Sequence, residues 1–396
     1  MPGDGARLAH SEVSSPSIAD DLGFVAPAYG DRSLTDVLPA VARALGANHA
    51  LVPPEQPLRL ELPEASSYVV FLVDGLGFEL LDQHPHDAPF LHSLMAGTAP
   101  ATAGVPSTTA TSLTSLGTAL TPGAHGVVGF TSRIPGTDQL LNALSWSKAV
   151  DPHEWQPHET AFGRLASAGV RTTVVNKREF AGSGLTEASC RGADFVGADR
   201  LGERLVAVRS ASAQRRSLTY MYDGDLDWTG HRYGVGSAQW AAQLGMIDLA
   251  AQRLRETLPD ETRVVVVADH GMVDAPASRR VDLDEQVDLR EGVTLIGGEA
   301  RFRHVYCRAG AADDVAATWG QSLDEAALVL TREEAVARGW FGEVSPEVRP
   351  RIGDVVVACR DDVALLVPSA FPYEARLIGM HGSLTSAEML IPVLVA

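Results

Sequence analysis

The stretch Arg263–Gly271, RVVVVADHG, decides the fold. Four valines and an alanine in a row leave a strand no polar side, so both of its faces must be covered. An aspartate, a histidine and a glycine follow at once. These residues suit a turn or a helix start, and they also suit a metal site. The pattern recurs elsewhere in the chain. YVVFLV (Tyr68–Val73) runs into Asp74-Gly75, and LTYMY (Leu218–Tyr222) runs into Asp223, Asp225 and Asp227, then Gly230-His231. RTTVVN (Arg171–Asn176) is a fourth apolar run. Helical patterns lie between them, over Glu159–Ala168 and Val235–Thr257. In the second, Trp240, Leu244, Ile247, Ala251 and Leu254 recur at helical spacing. Buried strands alternating with helices predict an open α/β sheet, mostly parallel and covered on both sides.

Outward from these runs, Ser33–Leu45 predicts a helix with Ser33 as N-cap and Gly46 as stop. The first thirty residues are expected to be loosely ordered, and Pro53, Pro54 and Pro57 mark a connector. From Val273 to about Pro372 the texture changes: RFRHVYCR and GDVVVACR read as alternating or edge strands, and charged helices are expected near Ala311 and Thr331. The C-terminal MLIPVLV reads as a return to the main core. The expected organisation is an N-terminal extension with one helix (1–65), a catalytic α/β core (66–275 and 373–396) and a small inserted α+β cap (276–372).

The 396 residues are 45% hydrophobic and 21% charged, the profile of a globular protein. Fifty acidic residues against 32 basic ones give a formal charge of −18, which argues against a nucleic-acid polymer as partner. A phosphate-bearing small molecule stays open, because a bound metal can invert the sign of a pocket. Cys190, Cys307 and Cys359 are far apart and form no CxxC pair, so they read as inert buried thiols. The opening MPGDGARLAHSEVSSPSIADD shows no basic region followed by an apolar one, and no run is long enough for a membrane span. A cytoplasmic location without membrane contact is expected. Composition is silent on oligomeric state.

Open α/β sheets bind ligands outside the carboxyl ends of their strands. One aspartate there caps a helix. Three strand ends with aspartate, two with a nearby histidine, and a further Gly379-Met380-His381-Gly382 point instead to divalent metal. Three aspartates and three histidines suffice for two ions if another group completes one sphere. The run VPSTTATSLTSLGTALTPGAHGVVGF (Val105–Phe130) offers that group, since eight of the twelve residues from Ser107 to Thr118 carry a hydroxyl. Ser107 or Thr108 suits the N-cap of a helix. A hydroxyl in its first turn would lie beside free N–H groups, where a phosphoryl group can dock. Thr111, Ser112, Thr114, Ser115 and Thr118 read as small packing residues whose hydroxyls bond back to the i−4 carbonyl.

Taken together, VDG at Asp74, TTATSLTSLGTALTPGAHGVVG at 108–129, DWTGHRYG at Asp227–Gly234, ADHG at Asp269 and MHGSLT at His381 resemble the alkaline phosphatase superfamily. The similarity is greatest to its nucleotide pyrophosphatase/phosphodiesterase branch. The resemblance implies an alkaline-phosphatase-like three-layer sandwich. It implies Thr109 as nucleophile, with Thr108 as the runner-up. It also implies two divalent ions, Zn²⁺ first with Mn²⁺ or Fe as alternatives: one held by Asp74, Thr109, Asp269 and His270, the other by Asp227, His231 and His381. Asp223 and Asp225 match no ligand position, and His125 matches a supporting element. The implied reaction is an in-line displacement on a small phosphate ester through a phosphothreonine intermediate, with net retention at phosphorus.

Two departures blur the substrate. The branch usually carries Asn three residues after the nucleophile and an aromatic residue directly after it; here these are Ser112 and Ala110. A cation near the phosphate would favour a monoester, and Lys148, Lys177 and Arg232 are the candidates. The alternatives are a phosphomonoesterase, a phosphomutase of the same superfamily using Ser107 or Ser112, and a catalytically dead metal-binding interaction protein. A sulfatase lacks support because no C-x-P-x-R element is present, and a membrane-bound phosphoethanolamine transferase lacks membrane spans.

Overall fold

The computed structural model describes residues 22–52 and 58–396. Its centre is a six-stranded sheet built from β1 (Ser67–Val73), β2 (Arg171–Asn176), β3 (Asp194–Gly197), β4 (Ser217–Asp223), β5 (Thr262–Val267) and, far downstream, the last strand of the chain, Val393–Val395. The spatial order is Val393–Val395, β5, β1, β4, β2, β3. All neighbours pair in parallel except Val393–Val395, which lies antiparallel to β5. This is the fold expected of the apolar runs. Every residue of β1 is buried, and so are Val264–Val267 of β5. The long helix falls at Ala238–Thr257 with Ser237 capping it, and Trp240, Leu244, Ile247, Ala251 and Leu254 are all buried.

The N-terminal reading is partly corrected. The expected connector at Pro53, Pro54 and Pro57 lies outside the described residues, as does the loose order expected for 1–21. Residues 22–30 are not loose: Phe24 and Val25 are buried, and the Val25 N–H donates to Leu384 O at 2.8 Å. The helix expected from Ser33 begins as a short 3₁₀ turn, Leu34–Asp36, because Asp36 accepts from the Ser33 N–H and hydroxyl. It continues as α1 (Val37–Ala44), and Gly46 follows at φ +69°.

Between residues 273 and 372 a second sheet forms from β6 (Val293–Glu299), β7 (Phe302–Cys307), β8 (Ala327–Thr331) and β9 (Val355–Cys359), antiparallel in the order β6, β7, β9, β8. The runs expected as alternating or edge strands are the two inner ones, β7 and β9, which explains why β9 is buried throughout. A separate apolar cluster running from Leu283 to Phe371 fills this unit. Two buried ion pairs tie it to the rest. Arg301 binds Glu388 at 2.7 and 2.8 Å, and Arg303 binds Glu374.

Candidate active site

The parallel register brings the strand ends together. Val73 of β1 lies opposite Asp223 of β4, and Leu72 lies opposite Val267 of β5, so Asp74 and Asp269 leave the sheet side by side. Gly75 follows at φ +74°, a backbone region that glycine enters without steric cost. A Cβ there would sit 3.1 Å from Asp227 Cα, so a glycine is what lets this turn lie against the next element. That element is the helix Asp225–Tyr233, where Asp227 and His231 are four residues apart and share a face. His381 arrives after the short strand Gly379–Met380.

Two triads result. Asp74, Asp269 and His270 each offer a ligand atom within 4.8 Å of the others, and so do Asp227, His231 and His381. His270 Nε2 lies 3.4 Å from Asp74 Oδ1 and 3.5 Å from Asp269 Oδ2; His231 Nε2 lies 3.3 Å from Asp227 Oδ2. The triads adjoin, because the His270 and His381 rings stack with centroids 3.7 Å apart.

Three observations fit these groups to divalent ions. First, each histidine places Nδ1 on a backbone carbonyl: His231 on Gly379 O at 2.8 Å, His270 on Gly271 O at 2.9 Å and His381 on Ser107 O at 2.9 Å. Donation from Nδ1 leaves the Nε2 lone pair facing the site. Second, Asp74 Oδ1, Asp227 Oδ1 and Asp269 Oδ2 are buried without hydrogen-bond partners among the described residues. Third, burial and then the neighbouring carboxylates hold Asp74 well above the usual range. Burial also raises Asp269, and it lowers His381, whose two histidine neighbours add to the effect. A dication reverses all three penalties at once.

Thr109 opens a ten-residue helix, Thr109–Thr118, with Thr108 at the N-cap position. Its Oγ1 lies 3.4 Å from Asp74 Oδ2 and 3.3 Å from His270 Nε2. The other hydroxyls divide. Thr114 and Thr118 bond back to the i−4 carbonyl as expected. Ser112 does not; its Oγ donates to Asp269 O at 2.8 Å, which steadies the ligand strand end. Ser115 meets His125 Nε2 at 2.9 Å, giving that histidine its supporting role. Ser107 donates to Ser383 O at 2.6 Å. Asp223 pairs with buried Arg204 and caps Asp225 N, and Asp225 pairs with Lys177 at 2.9 Å.

Two chambers meet at Thr109, Leu144 and Asp227. The larger, about 460 Å³, is walled by Phe130, Glu299, Tyr373, Leu377 and Met380. The smaller, about 190 Å³, is walled by Leu113, Val174, Asn176, Phe180, Leu185 and Tyr222. Among the described residues, no Lys or Arg lines either one. The three candidate cations are elsewhere. Lys148 is exposed, Lys177 is on Asp225, and the Arg232 guanidinium lies over the Trp228 and Tyr233 rings.

Sequence reasoning missed Tyr222 and Glu299. The Tyr222 hydroxyl donates to Asp74 Oδ2 at 2.5 Å. Its only signal was its place one residue before a strand-end aspartate. Glu299, at the end of β6, is buried, and that burial pushes its carboxyl up to about 8. Its Oε2 accepts from the Phe130 N–H at 3.1 Å, while Oε1 has no hydrogen-bond partner among the described residues.

This is the fold and strand-end chemistry of the alkaline phosphatase superfamily, in its phosphoester-hydrolysing branch. The sequence model of type I phosphodiesterase / nucleotide pyrophosphatase matches residues 68–384, and the chain belongs to that family. Murine ectonucleotide pyrophosphatase / phosphodiesterase 5 superposes with a TM-score of 0.65 at 16% identity, covering 83% of this chain and 87% of that one. An inactive threonine-to-alanine variant of the same protein, in complex with AMP, superposes equally at 17% identity with the same coverage. Phosphonoacetate hydrolase from Sinorhizobium meliloti 1021, in complex with phosphonoformate, gives a TM-score of 0.63 at 19% identity, covering 84% and 90%. No curated protein matches the chain in sequence. Among the described residues no helix is long and apolar enough to cross a membrane.

Proposed function

We propose that this member of the family hydrolyses phosphoric diesters of small molecules with Thr109 as the nucleophile. The observation that carries the reading is the position of the Thr109 hydroxyl, against Asp74 and His270 of one triad and at the floor shared with Asp227 of the other. Asp74, Asp269, His270 and Thr109 would hold one divalent ion, and Asp227, His231 and His381 the other, with Zn²⁺ the first choice. Bound there, the ions would supply Lewis acidity to the phosphoryl oxygens and make the threonine hydroxyl more acidic.

Thr109 Oγ loses its proton and forms a bond to phosphorus as the ester P–O bond opposite it breaks, and the departing alkoxide takes up a proton. Water then attacks the phosphothreonine, the P–Oγ bond breaks, and Thr109 recovers its proton. The first turn of the Thr109 helix presents N–H groups at its positive end, where the phosphoryl group would dock.

The diester follows from charge. A monoester dianion calls for an extra cation, and among the described residues neither chamber has a Lys or Arg in its wall. The two chambers give separate room to the two ester substituents. The phosphomutase alternative fares worse, because Ser107 and Ser112 are both committed to backbone carbonyls. A dead binding protein has no evident use for two complete triads around a hydroxyl. The inactivity of the threonine-to-alanine relative agrees with a threonine nucleophile. We read residues 276–372 as a cap over this site.

The test compares wild type and Thr109→Ala, both zinc- or manganese-loaded, on bis(p-nitrophenyl) phosphate and p-nitrophenyl phosphate. The diester should be preferred, and the variant should lose at least ~10³-fold. A strong preference for the monoester would move the reading to a phosphatase. Equal activity of the variant would remove Thr109 as nucleophile and turn attention to Thr108.

A further inference from the structure

Glu299 is one of two buried carboxylates in the wall of the larger chamber, and among the described residues it forms no ion pair, although Arg303 is near enough to favour its charged form. The other one, Glu374, is paired with Arg303, and that guanidinium is further committed to Leu365 O and lies over the Phe371 ring. Glu299 Oε2 is satisfied by the Phe130 N–H, and the Thr108 hydroxyl lies close enough to favour the charged form without completing a bond to Oε1. A buried acceptor left in this state is costly unless a ligand completes it.

The chain is built to bring this group to the site. Gly298, at φ +82°, lies where a Cβ would sit 2.1 Å from Phe302 O, and Gly382, at φ +130°, lets Glu299 approach the loop of His381. A Cβ on Gly382 would sit 2.5 Å from Glu299 Cγ. Beside Glu299 the Phe130 and Tyr373 rings meet edge to face, 5.9 Å between centroids, both in the chamber wall. Aromatic rings beside a buried carboxylate that has no ion pair favour a cation. A lone acceptor oxygen favours one that carries an N–H, because such a donor also completes the hydrogen bond.

We propose that the larger chamber receives a substrate substituent bearing a protonated amine, with Glu299 as the residue that selects it. The proposal rests on the diesterase reading and deepens it. The substrate class is then an aminoalkyl phosphodiester, monoanionic at phosphorus and cationic on one arm.

The test uses two esters that differ in one group: 2-aminoethyl p-nitrophenyl phosphate and propyl p-nitrophenyl phosphate. An ammonium in one replaces a methyl in the other. Metal-loaded wild type should favour the aminoethyl ester in kcat/KM by about ten-fold or more, as a site built around a buried polar partner discriminates. In Glu299→Gln, which keeps the shape, the ratio of the two rates should fall toward one. Equal rates with wild type, or an unchanged ratio in Glu299→Gln, would overturn the proposal. The same pair is titrated calorimetrically into metal-loaded Thr109→Ala. That arm reads the chamber without turnover, so a wild type that hydrolyses nothing sinks the diesterase reading, and the binding ratio alone then decides the selectivity of Glu299.

Discussion

Replacing Asp74 by Asn should stabilise the metal-free protein and destabilise the metal-loaded one. The ligand oxygens of Asp74 and Asp269 lie within 4.8 Å of each other, and Asp74 Oδ1 has no hydrogen-bond partner. Two full charges at that separation repel by about 3.5 kcal/mol at an effective dielectric constant of ~20. Burial, then Asp269 and Asp227, hold Asp74 well above its ordinary range, so less than the full repulsion is expected. About 2 kcal/mol of relief is therefore expected from the neutral amide. With an unfolding entropy of roughly 2.1 cal/mol/K per residue over 396 residues, that raises Tm by about 2–3 °C. The sign with pH follows from the raised pKa. Its penalty exists only above the unfolded value, so the advantage of the variant should shrink as the buffer is acidified toward ~4.

Metal reverses the order. An ion at a thousand times its Kd adds ~4 kcal/mol to a protein that binds it in the folded state alone, or about 5 °C here. The variant, missing a ligand oxygen, should gain far less. The assay is calorimetric unfolding of both proteins in chelator and in excess Zn²⁺. A variant less stable than wild type in both conditions would refute the reasoning, since it would make Asp74 a structural residue. Equal metal gains in the two proteins would refute it from the other side.

Further consequences come from groups around the triads. Tyr222→Phe removes the hydroxyl that fixes Asp74 and should weaken metal binding by roughly 10- to 100-fold, read by chelator competition. The fold should be kept, because the ring stays in its contact with Phe180. His125 and His304 are buried and neutral, pushed down to about 3 and about 4 by burial. The unfolded chain protonates such a histidine first, near ~6.5, so stability is lost as pH falls through the interval between the two values. Urea unfolding of wild type should therefore fall between pH 6.5 and 4 more steeply than that of His304→Asn, by about 1.4 kcal/mol per pH unit. Identical slopes would show that His304 is protonated in the folded state.

The strands were legible because burial on both faces admits little but β-branched and apolar residues, which is what 68–73 and 264–268 contain. The edge strand Asp194–Gly197 escaped because its sides alternate with solvent. The candidate ligand positions stood out for a topological reason, since parallel strands deliver their carboxyl ends to one edge and the aspartates stand there. The inner strands of the insert read as alternating or edge strands because RFRHVYCR carries three arginines and a histidine. Arg301 and Arg303 turned out to be buried in ion pairs with partners more than seventy residues away. Glu299 was invisible for a similar reason. Nothing local marks it, and its meaning comes from Phe130, 169 residues earlier, and from a glycine after His381. In the hydroxyl-rich run the helix start was legible, with Thr108 at the N-cap position and Thr109 opening the helix. Farther along, Ser112 and Ser115 use tertiary partners where the local sequence offered the i−4 carbonyl.

The central claim is that Thr109 Oγ forms a bond to phosphorus. Metal-loaded protein mixed with bis(p-nitrophenyl) phosphate, quenched in acid within a turnover and digested, would be mapped by peptide mass spectrometry. The account predicts a p-nitrophenylphosphoryl adduct on Thr109, absent from Thr109→Ala. Turnover of the diester with no adduct, or with the adduct on another residue, would contradict it.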